Sequence, residues 1–451
     1  MKPLLVGSRI LALALMGLAA YAQTPTDMPV LRGLAPVSAL GKSERGKAAL
    51  KANYDLTGGI ETGKVVQPTL LPFAEQEEQA LRDATITSKN LAQLADGLGT
   101  TLGAAYVERW HYIDSDHATP MPEALGRLID YADAVTGSNS GAGKFFFANG
   151  TRNGKDAVSP EAKAFMTSVG GVTDIFGVSY GLPAGTTGAD VYGDSRPFQT
   201  EHDFHRFAGT DYFNVPSDNT VYNAGPAMNL TNSPSFPSGH TTYGYTGAIL
   251  LAILVPERYS QMIARGAEYG NDRILMGSHY IMDVLGGRAL ALYDMAHLLA
   301  NDERYMAKGN GSVKDFRATL RAARKEIAEN LRSGCGGSIT VCASKDTGRF
   351  SNAAANEAFY DATQTYNLQV VHPKRAGVRE DVGKVAPEAG WLLTEAFPSL
   401  TMEEADKILT ETEGPGGGFL DDGSDPGFAV YSRLNLYAAG QRAAELVAKR
   451  K

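Results

Sequence analysis

The sequence predicts a mainly α-helical protein, and three observations carry that expectation. Apolar residues recur at three-to-four spacing through most of the chain beyond Glu75. The run from Ala248 to Val255 is apolar throughout and stopped by Pro256, so it reads as a helix buried nearly all round. No stretch shows several alternating strands, and no internal repeat is evident.

The elements follow in order. "MKPLLVGSRILALALMGLAAYAQ" reads as a secretory signal over residues 1–22. Lys2 and Arg9 give the positive start, Ile10 to Ala20 the apolar centre, and Ala20-Tyr21-Ala22 the cleavage site. The apolar run falls short of the roughly 20 residues that span a bilayer, so the mature chain is expected outside the cytoplasm, periplasmic or secreted. Residues 23–75, rich in Gly, Pro and Thr, read as an extended arm. Residues 76–305 are expected to form a helical catalytic domain and 306–451 a helical extension packed on it.

Within the central region, "EQEEQALRDATITSKNLAQLADGLGTTLGAAYVERW" and "MPEALGRLIDYADAV" carry helical spacing, with Pro122 suited to a first turn. Thr136 to Pro234 is dense in Gly, Asn, Asp and Thr and reads as a long loop, a place where function concentrates. Thr241–Val255, Glu257–Tyr269 and His279–Leu299 then read as three helices, followed by the charged "VKDFRATLRAARKEIAENLRSG". The tail adds "PEAGWLLTEAF", "TMEEADKILTETE" and "YSRLNLYAAGQRAAELVAKR" around a Gly-rich linker.

Composition bounds the function. The chain has 451 residues, 43% hydrophobic and 20% charged, with net charge -8, which argues against a nucleic-acid partner. The two cysteines, Cys335 and Cys342, lie close together with glycines between them. In an exported chain they are expected to form one local disulfide rather than half of a metal site.

Three short stretches carry the chemistry: "YGDSRPFQ" with Arg196, "PSGH" from Pro237 to His240, and "NDRILMGSHYIMDVLGG" with Arg273, His279 and Asp283. A carboxylate on one imidazole nitrogen fixes the tautomer and makes the other a better nucleophile, which suits Asp283 and His279. Arg196 and Arg273 offer planar, permanently charged donors for phosphoryl oxygens. Ser238 and Gly239 lie at a helix N-terminus, where hydroxyl, amide and dipole favour an anion. Gly286 and Gly287 permit close packing beside the site, and Gly277-Ser278 is expected to break the preceding helix with Ser278 as the next cap.

These stretches and their spacing resemble the type-2 phosphatidic acid phosphatase superfamily, which includes bacterial non-specific acid phosphatases and vanadium haloperoxidases. Its signature is a Lys separated by six residues from Arg-Pro, then PSGH, then Arg-x5-His-x3-Asp. The resemblance covers roughly residues 190–285 and implies a helical bundle of the acid phosphatase/vanadium haloperoxidase type with long loops. It implies an exported phosphatase acting on small-molecule phosphate esters. His279 would attack phosphorus to form a phosphohistidine, and His240 would serve as general acid and then base. Asp283 would orient His279, while Arg196, Ser238, Gly239 and Arg273 would bind the phosphate. No cofactor is implied, although vanadate mimics the phosphoryl transition state in such a pocket.

One position departs from the pattern: Ala189 stands where the family has its Lys. That weakens the rival reading as a vanadate-dependent haloperoxidase and keeps open an inactive relative that binds phosphorylated ligands. Lys144 or Arg152 are the cations that the loop region offers in its place. Two other clusters, His202 with His205 and His111, Asp114, Asp116 and His117, have metal-ligand chemistry; the first reads more simply as lining the substrate entrance or sitting in the loop, the second as a polar turn after a helix. The aromatics Phe146, Tyr180, Tyr192, Phe198 and Phe204 are expected to pack in the core, with a pocket wall as the alternative.

Overall fold

The computed structural model describes residues 27–85, 90–150, 159–170, 175–201, 204–307 and 312–450. The secretory signal, Arg152 and His202 lie outside the described residues. The N-terminal third holds α1 (Asp27–Leu34), α2 (Glu44–Glu61), α3 (Phe73–Arg82), α4 (Thr100–Arg109) and α5 (Glu123–Asn149). The middle holds α6 (Pro160–Ser168), α7 (Phe176–Ser179), α8 (Pro197–Thr200), the antiparallel pair β1 (Ala208–Thr210) and β2 (Pro216–Asp218), and α9 (Asn219–Asn223). Then come α10 (Gly239–Leu254), α11 (Tyr259–Leu275) and α12 (Ile281–Leu299). The remainder holds α13 (Glu303–Met306), α14 (Phe316–Cys335), α15 (Ile339–Ala343), α16 (Ala353–Thr365), α17 (Val382–Val385), α18 (Trp391–Thr394), α19 (Met402–Glu411), α20 (Pro426–Ala429) and α21 (Leu436–Ala448). The protein is mainly α, as expected.

The apolar run at 248–255 becomes the end of α10, which lies at the centre against α5, α11 and α12. All its residues except Gly239 and Tyr243 are buried, as an all-round hydrophobic helix requires. Close approach is built in at the glycines. A Cβ on Gly287 of α12 would sit 2.5 Å from the Ser238 carbonyl oxygen, so only glycine lets the PSGH turn rest on that helix. Among the described residues no helix is long and apolar enough to cross a membrane.

Two expectations are corrected. Residues 27–61, read as part of an extended arm, are helical apart from the 3-10 turn before Ser43, and they brace the site. Ser43 caps α2, and the side chains of Thr57 and Asn53 accept the Ile281 and Met282 N–H groups at 3.2 and 2.9 Å, satisfying orphan donors of α12. The long loop expected from Thr136 onward begins later, because α5 continues through Thr136 to Asn149. Its Gly, Ser and Asn content disfavours helix locally, but tertiary contact overrides it. Thr136, Asn139 and Ser140 are buried, and Asn139 donates to Asp294 of α12 at 2.8 Å.

The C-terminal region covers the bundle rather than hanging from it. The apolar face of α14, with Phe316, Leu320, Ala323, Ile327 and Leu331, packs on α4 and α5. Arg288 of α12 donates to the carbonyls of Thr363, Gln364 and Ser432 at 3.0, 3.1 and 2.9 Å. Phe419 reaches the ring of Phe236 beside the PSGH turn, with centroids 6.3 Å apart. Cys335 and Cys342 form the expected disulfide, joining the end of α14 to α15.

Candidate active site

His279 is fully buried and sits between Ser278 and Tyr280, two residues before α12 begins. Gly277 has φ +66° and ends α11, and a Cβ there would meet the Phe204 ring at 2.2 Å. Ser278 is not the cap that the sequence suggested. Its hydroxyl donates to Asn223 of α9 at 2.6 Å, and Asn223 also donates to the Met276 carbonyl at 2.7 Å. The capping carboxylate is Asp283, whose Oδ2 accepts the Tyr280 N–H at 2.8 Å. That same oxygen lies 3.4 Å from His279 Nδ1, so one carboxylate both starts α12 and faces the imidazole. The pair therefore meets through a bend and a first turn, not through a shared helical face.

Ser235 completes this cluster and was missed in the sequence. Its hydroxyl donates to Asp283 Oδ2 and lies 3.4 Å from His279 Nδ1. Its own N–H donates to the Asp194 carbonyl at 3.0 Å, while the Asp194 carboxylate accepts from Phe236 N–H at 2.9 Å. A serine two residues ahead of a proline carries no motif signal, and Asp194 reads only as a turn residue before Arg196.

On the other side of the ring, His279 Nε2 lies 3.0 Å from Arg196 Nη1. A guanidinium only donates, so Nε2 presents a lone pair and the proton resides on Nδ1, facing Asp283. Arg196 is itself clamped. Nε donates to the Ser233 carbonyl at 2.7 Å, Nη1 to the Ser278 carbonyl at 2.8 Å, and Nη2 to the Pro234 carbonyl at 3.0 Å. Arg273 donates to the Ala80 carbonyl in the last turn of α3 at 3.2 Å and lies over the Tyr269 ring at 5.0 Å.

His240, 8% exposed, is the second residue of α10; its ring centroid is 6.3 Å from that of His279. It hydrogen-bonds the Ala84 backbone, again from the α3 end. Ser238 caps α10 by accepting the Thr241 N–H at 3.1 Å, and its own N–H is held by the Asp283 carbonyl at 3.0 Å. Gly239 stays partly open to solvent. The seven residues expected at the site thus converge on one place.

Lys144 of α5 joins them, with Nζ donating to the Pro234 carbonyl at 2.7 Å beside Arg196. Burial, then the charge of Arg196, holds its pKa well below the usual lysine range, against the pull of Asp194 and Asp283. Both histidines are pushed well below 6.5 by burial. For His279 the next causes are Arg196 and Lys144; for His240 they are Arg273 and Lys144. Burial lifts Asp283 to about 6, against the Ser235 and Tyr280 hydrogen bonds. The physical sense is one of excess positive potential around two neutral imidazoles, which an entering anion would relieve.

The other histidines and the aromatics make contacts of their own. His205 bonds Glu77 at 2.6 Å, His111 bonds the Val107 carbonyl at 3.1 Å, and His117 pairs with Asp114 at 2.8 Å on the surface. Asp116 lends its N–H to that same Asp114 carboxylate at 2.8 Å. Phe146 stacks on Phe165, Tyr180 packs against Tyr280, Phe204 covers Gly277, and Phe198 N–H bonds the Gly277 carbonyl. Tyr192 meets Phe145 edge-on at 5.5 Å.

Residues 174–300, the segment that holds Arg196, His240, Arg273, His279 and Asp283, match the PAP2 superfamily. Among individual proteins, the chain is similar to an acid phosphatase of Zymomonas mobilis, 33% identical over 113 residues, which is 25% of this chain and 38% of that protein. It is similar to a non-specific acid phosphatase of Providencia stuartii, 25% identical over 235 residues, covering 50% of this chain and 85% of the relative. A non-specific acid phosphatase of Salmonella typhimurium is 39% identical over 98 residues, 22% of this chain and 34% of the relative. The match thus spans little more than a third of the Zymomonas and Salmonella proteins.

Proposed function

We propose that the protein is an exported phosphatase that hydrolyses phosphomonoesters through a phosphohistidine on His279. The observation that carries this reading is the placement of the His240 and His279 rings 6.3 Å apart, with Arg196, Arg273 and Lys144 around them. In the first step the Nε2 lone pair of His279 attacks phosphorus, and the bond from phosphorus to the ester oxygen breaks. His240 gives its proton to the departing oxygen. In the second step neutral His240 takes a proton from water, the resulting oxygen attacks phosphorus, and the N–P bond breaks to release phosphate. The imidazolium that forms at His279 keeps its Nδ1 proton toward Asp283.

Arg196 has a dual part in this scheme. Without ligand, its Nη1 contacts the nucleophilic nitrogen; a bound phosphate takes up that N–H and frees the lone pair. The Gly239 N–H and the α10 dipole add to the charge stabilisation at the equatorial oxygens. The substrate dianion also raises the His240 pKa, so the general acid is protonated when it is needed.

The test is turnover of a panel of phosphomonoesters with a chelator present, followed by trapping of acid-labile, base-stable phosphate on the protein. His279→Ala is expected to lose both turnover and trapped phosphate by several orders of magnitude. His240→Ala is expected to lose about 10²–10⁴-fold, least with good leaving groups. Trapped phosphate that survives in His279→Ala would falsify the assignment of the nucleophile.

A further inference from the structure

We infer that Lys144 and Ser140, both on α5, form a phosphate-binding edge of the site and supply the cation that Ala189 lacks. The inference rests on the phosphatase reading for its role in turnover, but the binding site itself stands on geometry. Ser140 and Lys144 are four residues apart and so share one face of α5. That face looks at the first residue of α10: a Cβ built on Gly239 would lie 3.4 Å from Ser140 Oγ and 3.6 Å from Lys144 Cε. The N-terminus of a sixteen-residue helix, which concentrates free N–H groups and positive dipole, therefore lies beside a hydroxyl and an ammonium.

Neither group is used up by the fold. Ser140 is 2% exposed, and among the described residues its hydroxyl has no hydrogen-bond partner. A buried hydroxyl without a partner is costly unless something else meets it. Lys144 spends one of its three N–H donors on the Pro234 carbonyl and makes no ion pair among the described residues. An ammonium drawn among Arg196, His240 and His279, partly offset by Asp194 and Asp283, is poorly explained as a structural clip. A hydrocarbon side chain would fill that space at lower cost. A tetrahedral oxyanion at the α10 N-terminus satisfies the amine, the hydroxyl and the helix end together.

Isothermal titration of the full chain with inorganic phosphate tests this directly, alongside kcat and KM on one phosphomonoester and thermal melting. Lys144→Met is expected to weaken phosphate binding about 10- to 100-fold, with Lys144→Arg recovering most of it; Ser140→Ala is expected to weaken it about 3- to 10-fold. Unchanged phosphate affinity in a folded Lys144→Met protein overturns the proposal. So does a loss shared equally by Lys144→Arg and accompanied by a collapse in melting temperature, since that marks a structural clip. If the wild type turns over no ester yet binds phosphate in a Lys144-dependent way, the phosphatase reading fails and this one stands. If turnover and phosphate affinity are both intact in Lys144→Met, the reverse holds.

Discussion

Ser235 shows how much of a site can hang on one hydroxyl. It donates to the same Asp283 oxygen that faces His279 and holds the Asp283 pKa down against burial. Ser235→Ala is expected to lower kcat/KM about 10-fold, as loss of a charge-assisted hydrogen bond does. It should also move the acid limb of the pH–rate profile upward, because a less restrained Asp283 protonates at higher pH and stops orienting the imidazole. An activity loss with an unmoved acid limb would point instead to simple disorder of the turn. In the wild type that limb should lie below pH 6.5, since His279 must be neutral to attack and its pKa is depressed. Residues such as Arg196, His240, Arg273, His279 and Asp283 were legible because together they resemble a known family signature. Ser235, Asp194 and Ser140 were not, because their roles come from contacts between segments, and nothing local distinguishes them from ordinary loop residues.

Among the elements, α2 shows what the sequence hid. Its composition suggested an arm, yet its Asn53 and Thr57 side chains complete the first turn of α12. At its end Glu61 is 1% exposed, and burial plus the Glu201 carboxylate lift its pKa to about 9, against a His205 backbone hydrogen bond. The sign follows from linkage. Folded Glu61 keeps a proton that the unfolded chain releases from about pH 4.5 upward, so its contribution is favourable in acid and is lost as pH rises toward 9. Glu61→Gln removes that penalty. Its melting temperature should match wild type near pH 4.5 and exceed it by a growing margin, reaching several degrees by pH 8, at up to about 1.4 kcal/mol per pH unit. Melting curves whose difference stays flat from pH 5 to 8 would contradict this. The long α5 was half legible: its first part has clean periodicity, while its second part is Gly- and Ser-rich and is helical because Asn139 and its neighbours are buried against α12.

For the molecule as a whole, one apolar cluster runs from Met28 to Ala443 without a break. Unfolding should therefore be a single calorimetric transition, with residues after 305 melting together with the bundle; two resolved transitions would show that the tail folds apart. Arg288→Ala, which strands three carbonyls at that seam, should cost about 3 kcal/mol while leaving the transition single. The mainly helical architecture was readable from periodicity. How the tail sits was not, because Arg288 joins it through backbone carbonyls that any sequence would offer. The same holds for α3 and the turn after it, which touch Arg273 and His240 through the main chain of Ala80 and Ala84. Any small residue at those two positions supplies the same oxygen, so their identity is nearly silent. What this chain has to preserve between 73 and 84 is length: gaining or losing a single amino acid there would rotate the backbone and leave both side chains reaching for nothing.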